Sequence, residues 1–353
     1  MSENKPARRR ATPGRKTLSA AAATTPALAE KTTKAALPGK AGKAAKPAAG
    51  AKPTKVAKAT KAGPPGRSAK AAKAADVRRI AVSGSQSGLG LAIRRRLEAT
   101  GAEVIGIDLP GKGAEVEADL STAEGRAAAV QGVLARCDGV LQGVVANAGI
   151  DSSDARLTFE VNFLGATELL EGLRPALAKA GRAAAVVTVS HAVMVTPGAS
   201  DSAAKALLAG QMGRAAFYAG RGAGAPYAAS KLALARWIRQ QAPTGEWAGS
   251  GISLNGVCPG AIETPMLEKD LKDKIKGPII RAMPKPLGRN SKPEDLAGIY
   301  EFLLGPQARY IVGQMITADG GVEATWRGND WPSAWDISMP RFLITLFGSK
   351  KSK

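Results

Sequence analysis

Tyr227 and Lys231 stand four residues apart in P-Y-A-A-S-K (226–231), in a chain where only 4% of residues are aromatic. On a helix, positions i and i+4 share one face. A phenol and an ammonium then project into the same space. A neighbouring cation favours the phenolate, so the pair suits a proton donor to, and acceptor from, a reacting oxygen. A free phenol titrates near ~10, and lowering that by roughly 3 units takes about 4 kcal/mol of differential stabilisation. Such a pair also arises by chance on a surface helix, so its meaning depends on what surrounds it.

Other chemistries lack parts. His191 is the sole histidine, which leaves a His-based zinc site or a Ser-His-Asp triad incomplete. Cys137 and Cys258 are far apart and give neither a disulfide framework nor a metal pattern. They fit a reducing compartment, and a cytoplasmic location is expected. No metal and no membrane span are expected, because no apolar run approaches the length that crosses a bilayer.

The elements that must position the pair begin at Asp76. RRIAVSG (78–84) reads as a buried strand, followed by a helix over LGLAIRRRLEATG that stops at Gly101. AEVIGIDL (102–109) is a second strand and EVEADL a short third, before a helix with Ser121 as its expected N-cap. GVLQGVVANAG (139–149), AAAVVTVS (183–190), GISLNGVCPG (251–260) and QMITADGG (314–321) complete about seven strands, with helical patterns between them. Apolar strands alternating with helices predict an α/β fold of the Rossmann type, a doubly wound parallel sheet.

Between the first strand and first helix lies S-G-S-Q-S-G-L-G (83–90). Gly84, Gly88 and Gly90 allow a tight turn and a close approach of backbone to a pyrophosphate at the helix N-terminus. Asp108 ends the second strand, where a carboxylate holds ribose hydroxyls and repels a 2′-phosphate. Leu109 follows, with no adjacent Arg. The expected cofactor is NAD rather than NADP.

Together these motifs resemble the short-chain dehydrogenase/reductase family, over residues 78–321. The glycine motif matches Gly84, Gly88 and Gly90, with Ser87 and Leu89 among them; the adenine-side acid matches Asp119, beside Leu120. The N-A-G turn matches Asn147, Ala148 and Gly149, and the helix Asn matches Asn162. Tyr-x-x-x-Lys matches Tyr227 and Lys231, and P-G-x-x-x-T matches Pro259, Gly260 and Thr264. The resemblance implies that these residues, with Asp108, bind the dinucleotide, Thr264 at the nicotinamide amide and Lys231 at its ribose. It implies Tyr227 as general acid and base, Ser190 holding the substrate oxygen, and Asn162 holding a water that relays protons to Lys231. Counting from the family's usual pattern could set His191 at the serine position, but only Ser190 has a hydroxyl, and the ungapped run from Pro175 supports it. His191 reads as a polar residue at a strand end.

Ser190 and Tyr227 are 37 residues apart, where the family usually has about a dozen. The intervening segment (194–225) contains a helical pattern and resembles the insertion of the bacterial 3α-hydroxysteroid dehydrogenase/carbonyl reductase subgroup, as do A-D-L-S-T-A-E-G-R (118–126) and V-N-F-L-G-A-T-E-L (161–169). That resemblance implies a homodimer and a small apolar alcohol or ketone, such as a 3α-hydroxysteroid, as substrate. Residues 261–290 are expected to form the lid over it.

Three segments emerge: a tail over 1–75, a dehydrogenase domain over 76–325 and an extension over 326–353. Residues 1–75 hold 18 Lys or Arg against Glu3 and Glu30, whereas the remainder holds 32 basic and 27 acidic residues. The tail is almost all Ala, Lys, Pro, Thr, Gly and Arg and has no aromatic, a composition expected to be disordered. It reads either as a solvated extension or as a non-specific binder of nucleic acid or another polyanion. Its weak, interrupted apolar stretch is not read as a signal or transit peptide. A rival function follows from the tail: a vestigial dehydrogenase body serving as a scaffold. Trp326, Trp331 and Trp335 crowd into ten residues before RFLITLF and a basic end; they read as packing over the body or a mate, or as a lid or a weak membrane-surface contact.

Overall fold

The computed structural model describes residues 77–196, 200–220, 225–330 and 337–348. The basic tail, with its expected disorder and polyanion binding, lies outside these residues, as do Trp331, Trp335 and the basic end.

Seven parallel strands form one sheet in the order β3-β2-β1-β4-β5-β6-β7. They are β1 (Arg79–Ser83), β2 (Glu103–Asp108), β3 (Val116–Glu117), β4 (Gly143–Ala146), β5 (Ala183–Thr188), β6 (Ile252–Pro259) and β7 (Met315–Ala318). The expected doubly wound sheet is present, although β3 is only two residues long. β6 is buried along its whole length, as the near-continuous apolar runs of a covered parallel sheet require. Successive residues of one strand serve opposite layers. Ala81, Val144, Ala185 and Val187 face a core with Leu169, Leu173 and Ile238. Ile80, Val82, Val145 and Val186 face a second core with Ile93, Leu97 and Tyr300.

The helices of the first layer are α2 (Ala123–Arg136), α4 (Gly165–Lys179) and α8 (Ala225–Gln241); those of the second are α1 (Gly88–Glu98) and α11 (Pro293–Leu304). Thr122, not Ser121, caps α2: its hydroxyl accepts the Gly125 N–H at 3.0 Å. The Ser121 N–H is itself tied to Asp119 Oδ1 at 2.9 Å, which leaves Ser121 one residue short of the cap. The helical pattern from Val161 starts earlier, as α3 (Ala155–Phe159), and enters α4 through a π-turn over Glu160–Leu164.

The segment between Ser190 and Tyr227 contains α5 (Ala192–Val195), α6 (Asp201–Leu208) and α7 (Met212–Ala219). Two helices, α9 (Pro265–Lys272) and α10 (Lys276–Ala282), fill the region expected to cover the substrate. α12 (Val322–Arg327) crosses the boundary drawn at 325, and α13 (Met339–Gly348) follows. Among the described residues no helix is long and apolar enough to cross a membrane.

Candidate active site

All the sequence motifs converge at the carboxyl ends of the strands, where a doubly wound sheet places its crevice. After β1 the chain turns through Gly84 and Gly88, both with positive φ (66° and 50°). A Cβ on Gly90 would lie 1.9 Å from the Gly84 carbonyl oxygen, so α1 packs against the turn with no room for a side chain. The Ser87 side chain does not cap α1, so the first N–H groups of the helix keep their capacity for an anion. Asp108 steadies this loop: its carboxylate accepts the N–H groups of Gln86 and Leu109, both at 2.9 Å. Ala118 and Leu120 are buried on either side of Asp119. Thr264 caps α9 and meets the glycine loop, its Cγ2 lying 3.2 Å from where a Gly88 Cβ would stand.

The N-A-G turn after β4 is held by Ser83, whose hydroxyl accepts the Asn147 and Ala148 N–H groups at 3.0 Å each. Asn147 Oδ1 accepts from Thr188 Oγ1 at 3.0 Å, and Thr188 Oγ1 also meets the Tyr300 hydroxyl at 2.8 Å. Gly149 faces both Asn162 and Lys231: a Cβ there would stand 3.2 Å from Asn162 Oδ1 and 3.3 Å from Lys231 Nζ. Asn162 lies in the π-turn, a local widening common at functional sites. Its amide binds both backbone groups of Ile150 and donates to Ser230 Oγ at 3.1 Å. Buried Arg126 pins the π-turn from behind, pairing with Glu160 at 2.9 Å and Glu168 at 2.6 Å.

Tyr227 and Lys231 share the inner face of α8, with Lys231 Nζ 5.7 Å from the phenol ring centroid. Lys231 is buried, and its ammonium donates to the Thr188 carbonyl at 2.7 Å. The Ser190 hydroxyl is close enough to the Tyr227 phenol to lower its pKa, and accepts the Ala192 N–H at 3.1 Å. Above them, Lys276 of α10 reaches Asp151, just past the N-A-G turn, at 2.7 Å and Asp270 of α9 at 3.5 Å. Asp151 Oδ1 is buried without a partner. A cavity of about 350 Å³ opens between this two-helix flap and β7, lined by His191, Gly260, Ile280, Leu287, Ile299 and Val322 among others. It adjoins Ser190 through His191 but does not include Ser190 or Tyr227 in its wall.

The family model described as Enoyl-(Acyl carrier protein) reductase matches residues 212–323. The chain is 40% identical to a 3-alpha-hydroxysteroid dehydrogenase/carbonyl reductase of Comamonas testosteroni, over 70% of this chain and 97% of that protein. It is 30% identical to the 3-oxoacyl-[acyl-carrier-protein] reductase FabG of Escherichia coli, over 68% of this chain and 95% of that one. A crystal structure of the 3-alpha-hydroxysteroid dehydrogenase from Pseudomonas sp. B-0831, complexed with NADH, superposes with a TM-score of 0.66 at 42% identity, covering 71% of this chain and 99% of that one.

The chain belongs to the short-chain dehydrogenase/reductase family. As such it is an oxidoreductase of the alcohol/ketone class. In this dehydrogenase the resting electrostatics run against the simple phenolate picture. Burial pushes the Tyr227 phenol up to about 12, the Ser190 hydroxyl pulls it back in part, and the Asp151 and Asp270 carboxylates push it further up. Burial also lowers the Lys231 ammonium to about 8. Both side chains are desolvated, and each disfavours its own charged form in the protein alone; the expected lowering of the phenol relies on Lys231 together with the positive ring of the oxidised cofactor.

Residues that the sequence left unmarked complete the dehydrogenase site. Ser83, Thr188, Ser230 and Tyr300 are ordinary in the sequence and matter only because the fold brings β1, β4, β5, α8 and α11 to one point. Asp151 and Lys276 have no motif at all; only the flap's position joins them.

Two outcomes are expected of the dehydrogenase. The folded pKa of Lys231 near 8 lies below its ordinary 10.5, so the unfolded chain binds more protons between these values and stability rises with pH across that window. Lys231→Met should therefore be more stable than the parent at neutral pH, by about 1–2 kcal/mol after loss of the Thr188 hydrogen bond. The gap should close as pH climbs from 8 to 10.5; urea unfolding at several pH values checks this, and a constant gap contradicts it. Asp151→Asn removes a charge that raises the phenol. The rising limb of its alcohol-oxidation pH–rate profile should move to lower pH by roughly half a unit, and an unmoved limb would show that Asp151 does not act on Tyr227.

Proposed function

We propose that the protein interconverts a secondary alcohol and a ketone with NAD(H), Tyr227 serving as acid and base. The observation that supports this most is the union of Ser190, Tyr227, Lys231 and Asn162 around one point, next to an uncapped helix N-terminus behind a glycine turn. The dinucleotide fits the residues present. Its pyrophosphate suits the Gly84–Gly90 turn, where even one Cβ is refused. Its adenosine ribose suits Asp108, with Asp119 and Leu120 on the adenine side. Arg94, on the adjoining helix, is paired with both Glu98 and Glu115 and is not free for a 2′-phosphate. The likeness to an NADH-complexed structure supports the same choice.

When bound, the dinucleotide supplies or accepts the hydride, and its oxidised ring adds a positive charge. The chain's own groups handle the proton. In reduction, the neutral Tyr227 hydroxyl donates to the nascent alkoxide; in oxidation, the phenolate takes the alcohol proton. A phenol near 12 is fully protonated at neutral pH and scarcely present as phenolate, so the oxidative direction depends on Lys231 carrying its proton while the phenolate exists. Ser190 donates a hydrogen bond to the substrate oxygen as charge develops there. Asn162, fixed by Ile150 and Ser230, holds the N-A-G turn against Lys231. The cavity under the flap, with Ile280, Met283, Leu287 and Ile299, suits an apolar body attached to the reacting carbon, a 3α-hydroxysteroid by likeness to the relatives.

Purified protein with NAD and a 3α-hydroxysteroid should produce the reduced-nicotinamide absorbance at 340 nm, and Tyr227→Phe should lower that rate by at least about 100-fold. A signal with simpler alcohols only would discard the steroid; silence with every alcohol and with NADP would discard the enzyme reading. We also propose a homodimer through the inserted helices, because Phe217 on α7 is 81% exposed beside Tyr218. Light scattering should report a dimer that Phe217→Glu splits; a monomeric parent removes the idea.

A further inference from the structure

His191 follows Ser190 directly, and the mechanism above gives it no task. It is nonetheless buried, and it is anchored at both ends. Its backbone N–H donates to the Pro259 carbonyl at 2.9 Å, joining the Ser190 turn to the end of β6. Its ring Nδ1 lies 3.4 Å from Asp319 Oδ2, with the two side chains 9% and 4% exposed. Asp319 is rigid. It stands just after β7, and its carboxylate also accepts the N–H groups of Gly321 at 3.0 Å and Glu323 at 2.8 Å, which starts α12. A second tie runs in parallel: Arg327 of α12 donates to the Met194 carbonyl at 3.4 Å. The Ser190–Val195 turn is thus held from one side by β7 and α12.

We infer that His191 and Asp319 form a positioning pair that fixes the Ser190 turn, and so the direction of the Ser190 hydroxyl, toward Tyr227. The inference rests on the proposed role of Ser190. Three observations carry it. Ser190 has no helix or strand of its own: it sits between the last residue of β5, Thr188, and the four-residue α5. Its hydroxyl is oriented by the Ala192 N–H, a contact inside the same turn, so whatever moves the turn moves the hydroxyl. The only side chain of that turn with a long-range charged partner among the described residues is His191, 128 residues from Asp319 in sequence. Asp319 is suited to hold it. Burial raises the Asp319 carboxyl, but the His191 hydrogen bond and the two backbone N–H groups outweigh this and keep it below the usual carboxylate range. It therefore stays an anion, and an anion accepts a ring N–H more strongly than a neutral oxygen does. His191 touches no reacting atom in this scheme; it acts through Ser190.

The test compares the parent full-length chain with His191→Val, Asp319→Asn, the double variant, and His191→Asn, which keeps a donor at the δ position. Steady-state oxidation of a 3α-hydroxysteroid with NAD is followed, together with hydrogen exchange of the 188–196 segment. His191→Val should lower kcat about tenfold while the KM for NAD stays within about twofold, because a small displacement of a group near the reacting atoms is felt in the rate. Exchange across 190–195 should quicken in His191→Val and Asp319→Asn alike. The double variant should lose no more than either single one, and His191→Asn should recover to within about threefold of the parent. Unchanged exchange in His191→Val, or losses that add in the double variant, would overturn the pair. If Ser190→Ala retains full activity, the role of Ser190 falls; the exchange data then still decide whether His191 and Asp319 hold the turn, and unaltered exchange refutes that as well. If Asp319→Asn does not fold, His191→Val and His191→Asn decide alone.

Discussion

A buried ammonium with one backbone acceptor is the constraint around which this cluster is built. Lys231 stands on α8 with almost no surface left to water, and desolvation presses it toward the neutral form. The single backbone carbonyl of Thr188 answers it, supplied by the end of β5. That carbonyl is where it is because Thr188 is fastened sideways: its hydroxyl joins Asn147 of the β4 turn and Tyr300 of α11. Asn147 in turn is braced by Ser83 of β1. Three strands and two helices from opposite layers therefore meet at one amine. A change in any of these polar links alters the same quantity, the ease with which Lys231 stays charged.

The phenol follows the same logic. Tyr227 keeps its proton firmly because burial and two carboxylates of the flap region favour the neutral form. Ser190 works against them, and so does whatever positive charge enters the cleft. The protein thus holds an acid whose strength is set by groups on separate elements: Ser190 on the turn after β5, Asp151 after β4, Asp270 on the flap. Charge near the reacting oxygen is tuned by position rather than by composition.

Much of this was legible in the sequence. The strand runs around Ile80, Val104, Val144 and Val186 are apolar on both faces, which fixes a covered parallel sheet. The glycine turn, N-A-G, Tyr-x-x-x-Lys and P-G-x-x-x-T all arrive at one end of it, as their types and order imply. What could not be read is of two kinds. Local hydrogen bonding decided that Thr122 rather than Ser121 begins α2, and that the helix around Asn162 widens into a π-turn; neither has a periodic signal. Long-range pairing decided the rest. Lys276 and Asp151 are joined only by the position of the flap, and His191 and Asp319 only by the order of the sheet. The direction of the Tyr227 shift is a further case, because a pattern of residues carries no information on how much water surrounds them.

The order of the strands also dictates when the site can exist. β1 lies inside the sheet, flanked by β2 and β4, so the early part of the chain can pair as soon as the segment to Ala146 is available. The edge strand β7 is the last to be added, and Asp319 comes just after it. During synthesis from the N-terminus, the glycine turn and the N-A-G turn can be in place while the Ser190 turn still lacks its clasp and β6 still has an open edge. Such intermediates expose unpaired strand. The closing residues of the dehydrogenase body are therefore the ones that end a vulnerable interval for the nascent chain, a duty separate from any part they play in the finished enzyme.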